Sequence, residues 1–160
     1  MVTAPALECT QTETDEQHKF FENSVNYGER VGARLTNGSN WQCVGNVLGS
    51  VTFWLDKVGS PTGTVYCRVW RDGTTDPFVT MGSIDVSTLP TSAAEITFNS
   101  PDSSYTLVDG DIVACEYTSG DDSNHPRLGT ENSAVAGVDR TFYTDSWQTS
   151  TSKSCYIKTQ

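Results

Sequence analysis

Two histidines, five cysteines and twenty carboxylates are the side chains of this 160-residue sequence with chemistry of their own. Nucleophilic catalysis of the Ser-His-acid kind needs an imidazole oriented by a carboxylate. His125 precedes Pro126 in the stretch DDSNHPR, which reads as a solvated loop. His18 lies in a polar N-terminal segment, and no GxSxG elbow occurs. Glycoside hydrolysis needs only two facing carboxylates, and any acidic surface offers such pairs, so their number points to nothing. The expectation is no catalytic residue and no enzyme. Cys9, Cys43, Cys67, Cys115 and Cys155 are widely spaced, with no CxxC and no Cys/His cluster. Zinc and thioredoxin-type chemistry are therefore not expected. Oxygen-rich stretches at residues 119–124 (SGDDSN) and 72–76 (DGTTD) are the nearest approach to a calcium site. Neither has EF-hand spacing, and both read as ordinary turns. No cofactor is expected, structural calcium at these loops being the one metal option.

Composition narrows the partners. Twenty Asp and Glu against ten Lys and Arg give a net charge of −10, which repels phosphate backbones and argues against nucleic acid. The chain is 36% hydrophobic and 19% charged, a soluble, globular composition. No run approaches the ~18–20 apolar residues that span a bilayer, so no membrane insertion is expected. The N-terminal stretch has neither a basic start nor an apolar core, so no signal peptide is read there; a mature or virion protein would lack one too. Thr and Ser together number 39, which favours a β-rich surface protein and offers positions for O-linked sugars.

The elements that must position these residues follow from period-two alternation. From Ser24 onward it is broken every ~8–12 residues by Gly, Pro, Asn or Asp, which predicts a sandwich or barrel of short strands. Strands are expected at residues 31–35, 51–55, 65–69, 78–84, 95–98, 111–118, 140–144 and 154–158. Helix is scarce, with residues 13–22 the one stretch to consider. Residues 1–23 carry five acids against Lys19 and show neither periodicity. They are read as an N-terminal arm that folds back or docks on a neighbouring subunit; residues 24–160 are read as one β-sandwich domain. The strands 51–55 and 65–69, joined by DKVGSPTGT, are expected to pair as a hairpin. A loop symmetric about Ser60 sets Leu55 opposite Val65, Phe53 opposite Cys67 and Val51 opposite Val69, all inward.

In residues 111–117 the polar Glu116 shares a face with Ile112 and Ala114, so Val113, Cys115 and Tyr117 should point inward. Cys67 and Cys115 then form one candidate disulfide and Cys43 with Cys155 another, implying an oxidising, extracellular setting. Four cysteines allow three pairings, and buried thiols serving as small apolar side chains are the alternative. Cys9 is the odd one out, either an intermolecular cross-link or a lone thiol. Trp54, Tyr66 and Trp70 alternate outward and form a candidate aromatic contact surface for sugar rings or a protein, unless a loop or the arm covers them. Asn37 heads the sequon Asn37-Gly38-Ser39 in a turn, the one N-glycosylation candidate.

SVTFWLDKVGSPTGTVYCRVW (residues 50–70), SIDVSTLPTSAAEITF (83–98), YTLVDGDIVACEY (105–117) and, more loosely, SWQTSTSKSCYIK (146–158) together resemble a class of jelly-roll β-sandwich modules. These recur in archaeal and bacterial surface proteins, sometimes beside choice-of-anchor domains, and in viral or environmental structural proteins. The resemblance implies a non-catalytic module and brings no catalytic residues. Cys67 and Cys115 stand where small apolar residues would be usual. The expected fold is an all-β, jelly-roll-like antiparallel sandwich with an extended arm. The first functional expectation is an extracellular structural subunit that assembles with copies of itself, as a filament or virion surface, through that arm. The alternative is a carbohydrate-binding module of a surface adhesin, which gains ground if the arm lies across its own domain.

Overall fold

The computed structural model describes residues 9–10, 16–20, 29–36, 44–71, 73–101, 105–131, 138–144, 146–150, 154–155 and 157–159. It is an all-β sandwich of two antiparallel sheets. The strands are β1 (Cys9–Thr10), β2 (Glu16–Lys19), β3 (Arg30–Leu35), β4 (Ser50–Val58), β5 (Thr64–Arg71), β6 (Val79–Asp85) and β7 (Ala94–Asn99). They continue with β8 (Asp111–Glu116), β9 (His125–Glu131), β10 (Val138–Tyr143), β11 (Trp147–Ser150), β12 (Ser154–Cys155) and β13 (Ile157–Thr159). One sheet has the order β11-β10-β3-β8-β5-β6. In the other, β4 pairs with β7 on one side and with β13 and β9 on the other, while β9 also pairs with β12 and β2, and β13 with β1.

The alternation decides the core. Val51, Phe53 and Leu55 of β4 face Val65, Cys67 and Val69 of β5 across the sandwich, with Val31, Ala33, Val113, Cys115, Tyr117 and Leu128 around them, all buried. Tyr117 adds a hydroxyl that donates to the Thr62 carbonyl at 2.9 Å, so its polar tip is satisfied at the rim.

The expected β4–β5 hairpin is corrected. The two strands belong to opposite sheets, and the segment between them is an arch over the end of the sandwich. Both strands keep the predicted inward faces because alternation specifies a face and not a partner. The arch is fixed by Gly59 at φ +67° and Gly63 at φ +104°, and by the Ser60 amide donating to Asn124 Oδ1 at 2.9 Å. A second crossing, from β6 to β7, uses a single 3-10 turn (Val86–Thr88) capped by the Asp85 carboxylate on the Ser87 amide.

The described residues of the N-terminal segment pair along their own chain. The described residues of the expected arm are strands of the sandwich. Glu16–Lys19 pair with β9, Cys9 and Thr10 with β13, and Phe20 is fully buried in the core. Residues 13–22 hold β2 where helix was considered. The stretch read as a solvated loop around His125 is β9, and His125 is only 4% exposed.

Candidate functional site

The outer face of the six-stranded sheet carries the side chains with the most distinctive chemistry. Register places Tyr66, Glu116, Arg30, Tyr143 and Trp147 in one row across β5, β8, β3, β10 and β11. Glu116, 8% exposed, is held from both sides. Arg30 Nε donates to its Oε1 at 2.9 Å and Arg68 Nη1 donates to its Oε2. Each guanidinium is also stacked: Arg68 lies 4.4 Å from the Tyr66 ring centroid, and Arg30 lies 4.4 Å from Tyr143 and 5.2 Å from Trp70. Cation–π contact is strongest where water is excluded, and the Arg30 side chain is only 12% exposed.

The loop joining β5 to β6 folds back over this face. Its Thr74 carbonyl accepts the Trp147 indole N–H at 3.0 Å and its Thr75 carbonyl accepts Arg30 Nη1 at 3.2 Å. Inside the loop, the Thr74 amide and hydroxyl both donate to the Arg71 carbonyl, at 2.9 and 2.6 Å. Under that cover Trp70, Ile112 and Ala114 form a second apolar cluster with Trp147 against it. Trp70 and Trp147 meet edge-on at 5.3 Å. This explains why Trp70, outward by alternation, is fully buried.

The pinned loop borders a shallow, open recess of about 460 Å³ lined by Gly73, Thr74, Thr75, Asp76, Pro77 and Phe78. Phe78 is 51% exposed. The Arg71 guanidinium lies 4.5 Å from its ring centroid and is itself tied to the buried carboxylate of Asp111 at 3.4 Å. Asp111 is in turn fixed by the Tyr105 hydroxyl at 2.7 Å and the Val108 amide at 2.8 Å. A half-exposed ring, the Asp76 carboxylate and the Thr75 hydroxyl thus stand on a backbone whose inner carbonyls are already used.

No family model, curated protein or solved structure matches the chain.

The structure separates the expected aromatic surface. Trp54 stands on β4 of the seven-stranded sheet, opposite Glu95, while Tyr66 stands on β5 of the other sheet and is 37% exposed. With Trp70 buried, the three make no common platform. Cys67 and Cys115 are directly opposed on β5 and β8, as a bridge requires, yet no disulfide joins them. Both are fully buried, and burial pushes the Cys67 thiol well above its ordinary range, so it serves as a small apolar core group. Cys43 and Asn37 lie outside the described residues. Cys9 falls on β1 and Cys155 on β12, opposite Thr159 and Thr130. Among the described residues no group of three His, Cys, Asp or Glu could hold a metal ion. At residues 121–124 the Asp121 carboxylate accepts from the Ser123 and Asn124 amides at 2.7 and 2.9 Å, which holds its pKa below the usual range. That is the turn reading of the loop considered for calcium.

Sequence reasoning missed Arg30, Phe78, Tyr143 and Trp147. Tyr143 and Trp147 are register partners four positions apart at the ends of β10 and β11, a spacing that could have signalled a stacked cross-strand pair.

Proposed function

We propose that the chain is a non-catalytic carbohydrate-binding module of an extracellular surface protein, and that it takes a neutral sugar in the recess at residues 73–78. The observation that carries the reading is the exposed Phe78 ring over a recess whose backbone is pinned by Trp147 and Arg30. Small-ligand sites fall in the range of ~300–1,000 Å³ and combine apolar walls with a few polar groups. Sugars present a flat C–H face for a ring to stack on and hydroxyls for Asp76 and Thr75 to bind. A net charge of −10 works against anionic polysaccharides and leaves neutral ones unaffected. Preorganisation limits the entropy lost on binding. The resemblance to surface modules and the abundance of Thr and Ser support the extracellular setting.

Calorimetric titration with neutral oligosaccharides tests the proposal. Aromatic stacking contributes about 0.5–1.5 kcal/mol beyond area burial, so Phe78→Ala should weaken binding roughly tenfold. Trp54→Ala, on the opposite sheet, should leave it unchanged. Failure of the wild type to bind any neutral sugar, or undiminished binding by Phe78→Ala, removes the proposal.

A further inference from the structure

We propose that β2 is exchangeable between copies, so that residues 16–20 of one chain occupy β9 and the Phe20 socket of a second copy. This goes beyond sugar recognition and does not rest on it. Among the described residues β2 pairs with β9 alone, in the register Glu16 to Thr130, Gln17 to Gly129, His18 to Leu128 and Lys19 to Arg127. The Phe20 amide continues the pairing to the Pro126 carbonyl at 3.3 Å. Phe20 itself is fully buried and meets Tyr117 edge-on at 6.5 Å, and Lys19 is ion-paired with Asp122. Each of these contacts is made to residues 117–130, and none requires that the strand come from the same chain.

The sequence around β2 suits release. Main-chain pairing and one apolar plug hold a segment that is otherwise polar, with Glu8, Glu13, Asp15, Glu16 and Glu22 keeping it soluble when undocked. Nine residues, 21–29, link Phe20 to Arg30 on the other sheet, a length of chain that at ~3.3 Å per residue spans at most about 30 Å when extended. A copy that loses its own β2 exposes the β9 main chain and an empty socket beside Tyr117. A segment that carries both the pairing register and the Phe plug is the same segment of another chain. Exchange conserves every contact, so concentration and the linking segment set the balance between closed and exchanged forms.

Cross-linking tests this with full-length chains. Thr10 on β1 lies opposite Lys158 on β13, and β1 travels with β2. Unlabelled Thr10→Cys chains are co-refolded at high concentration with heavy-isotope Lys158→Cys chains, oxidised with a disulfide reagent and digested. Exchange predicts a light-to-heavy peptide link between positions 10 and 158, at least tenfold above that obtained with Gln148→Cys in place of Lys158→Cys. Equal linking to both positions, or none, overturns the proposal. Should either variant fail to fold, unmodified light and heavy chains co-refolded and weighed by native mass spectrometry decide. Mixed-mass oligomers that form on co-refolding but not on mixing the folded chains support exchange; monomers alone, or oligomers that form equally from folded chains, overturn it.

Discussion

Arg30 is the residue on which the outer face turns. It joins the Glu116 carboxylate, the Tyr143 and Trp70 rings and the Thr75 carbonyl, so one side chain ties β8, β10, β5 and the recess loop to its own strand. A lysine keeps the charge but loses the planar fork and the stacking surface. Breaking a buried pair costs about 3–5 kcal/mol, and Arg68 retains part of the hold on Glu116. Arg30→Lys is therefore expected to lower the unfolding free energy by about 2 kcal/mol in chemical denaturation; an unchanged midpoint would show the cage to be incidental. His125 makes stability depend on pH in the mildly acidic range. Burial holds its imidazole below the ordinary range, its Nδ1 donates to the Asp121 carbonyl at 3.0 Å, and Lys19 and Arg127 add to the resistance to protonation while Asp122 opposes it. A depressed folded value means that the stability is complete above about pH 6.5 and lost as pH falls through the lowered value. Thermal midpoints of the wild type should drop as the pH falls below about 6.5, and His125→Gln should flatten that step. An equal slope in both proteins would assign the acid sensitivity elsewhere.

Strand positions and faces were legible because they depend on local alternation; partners were not, because they depend on how the arches run. Of consecutive strands, β5–β6 and β10–β11 pair within one sheet as hairpins. The symmetric DKVGSPTGT segment looked like a hairpin, yet its two flanking strands bury equally well against each other across the core. β9 went unread since Pro126 and Gly129 interrupt its pattern; Pro126 sits where its carbonyl serves Phe20 and its missing N–H leaves the strand in place. The recess was invisible for a related reason. It arises where the β5–β6 loop folds back on Arg30 and Trp147, residues 41 or more positions away from it in sequence order. Glycines in the two loops separate these roles. At Gly59 a Cβ would stand 2.3 Å from the Ser123 carbonyl oxygen at a φ of +67°, whereas at Gly73, φ +81°, nothing lies within 4 Å. Left-handed backbone alone costs roughly 1–2 kcal/mol. Gly59→Ala should therefore lose clearly more than Gly73→Ala, which should fall by about 3–6 °C at ~3 °C per kcal/mol. Equal losses would mean that the arch does not depend on its contact with residues 123–124.

At the scale of the whole molecule, two sheets share one core, and a second small apolar layer on one outer face supports the recess. The outer side of the seven-stranded sheet is built differently, from the Thr52–Thr97 hydroxyl pair, the bidentate Arg127–Asp56 pair at 2.8 Å and the Lys158–Glu95 pair. It offers cross-strand polar ties, and the loop recess lies on the opposite side. A neutral ligand also makes binding insensitive to ionic strength, since no counterions are released. The most direct measurement is an amide NMR titration of the intact protein with a neutral oligosaccharide. Shifts that saturate and concentrate at residues 73–78, with Phe78 and Trp147 ring signals moving together, are the predicted result. Saturating shifts centred on Trp54 and β7, or none at any sugar concentration, would contradict the account.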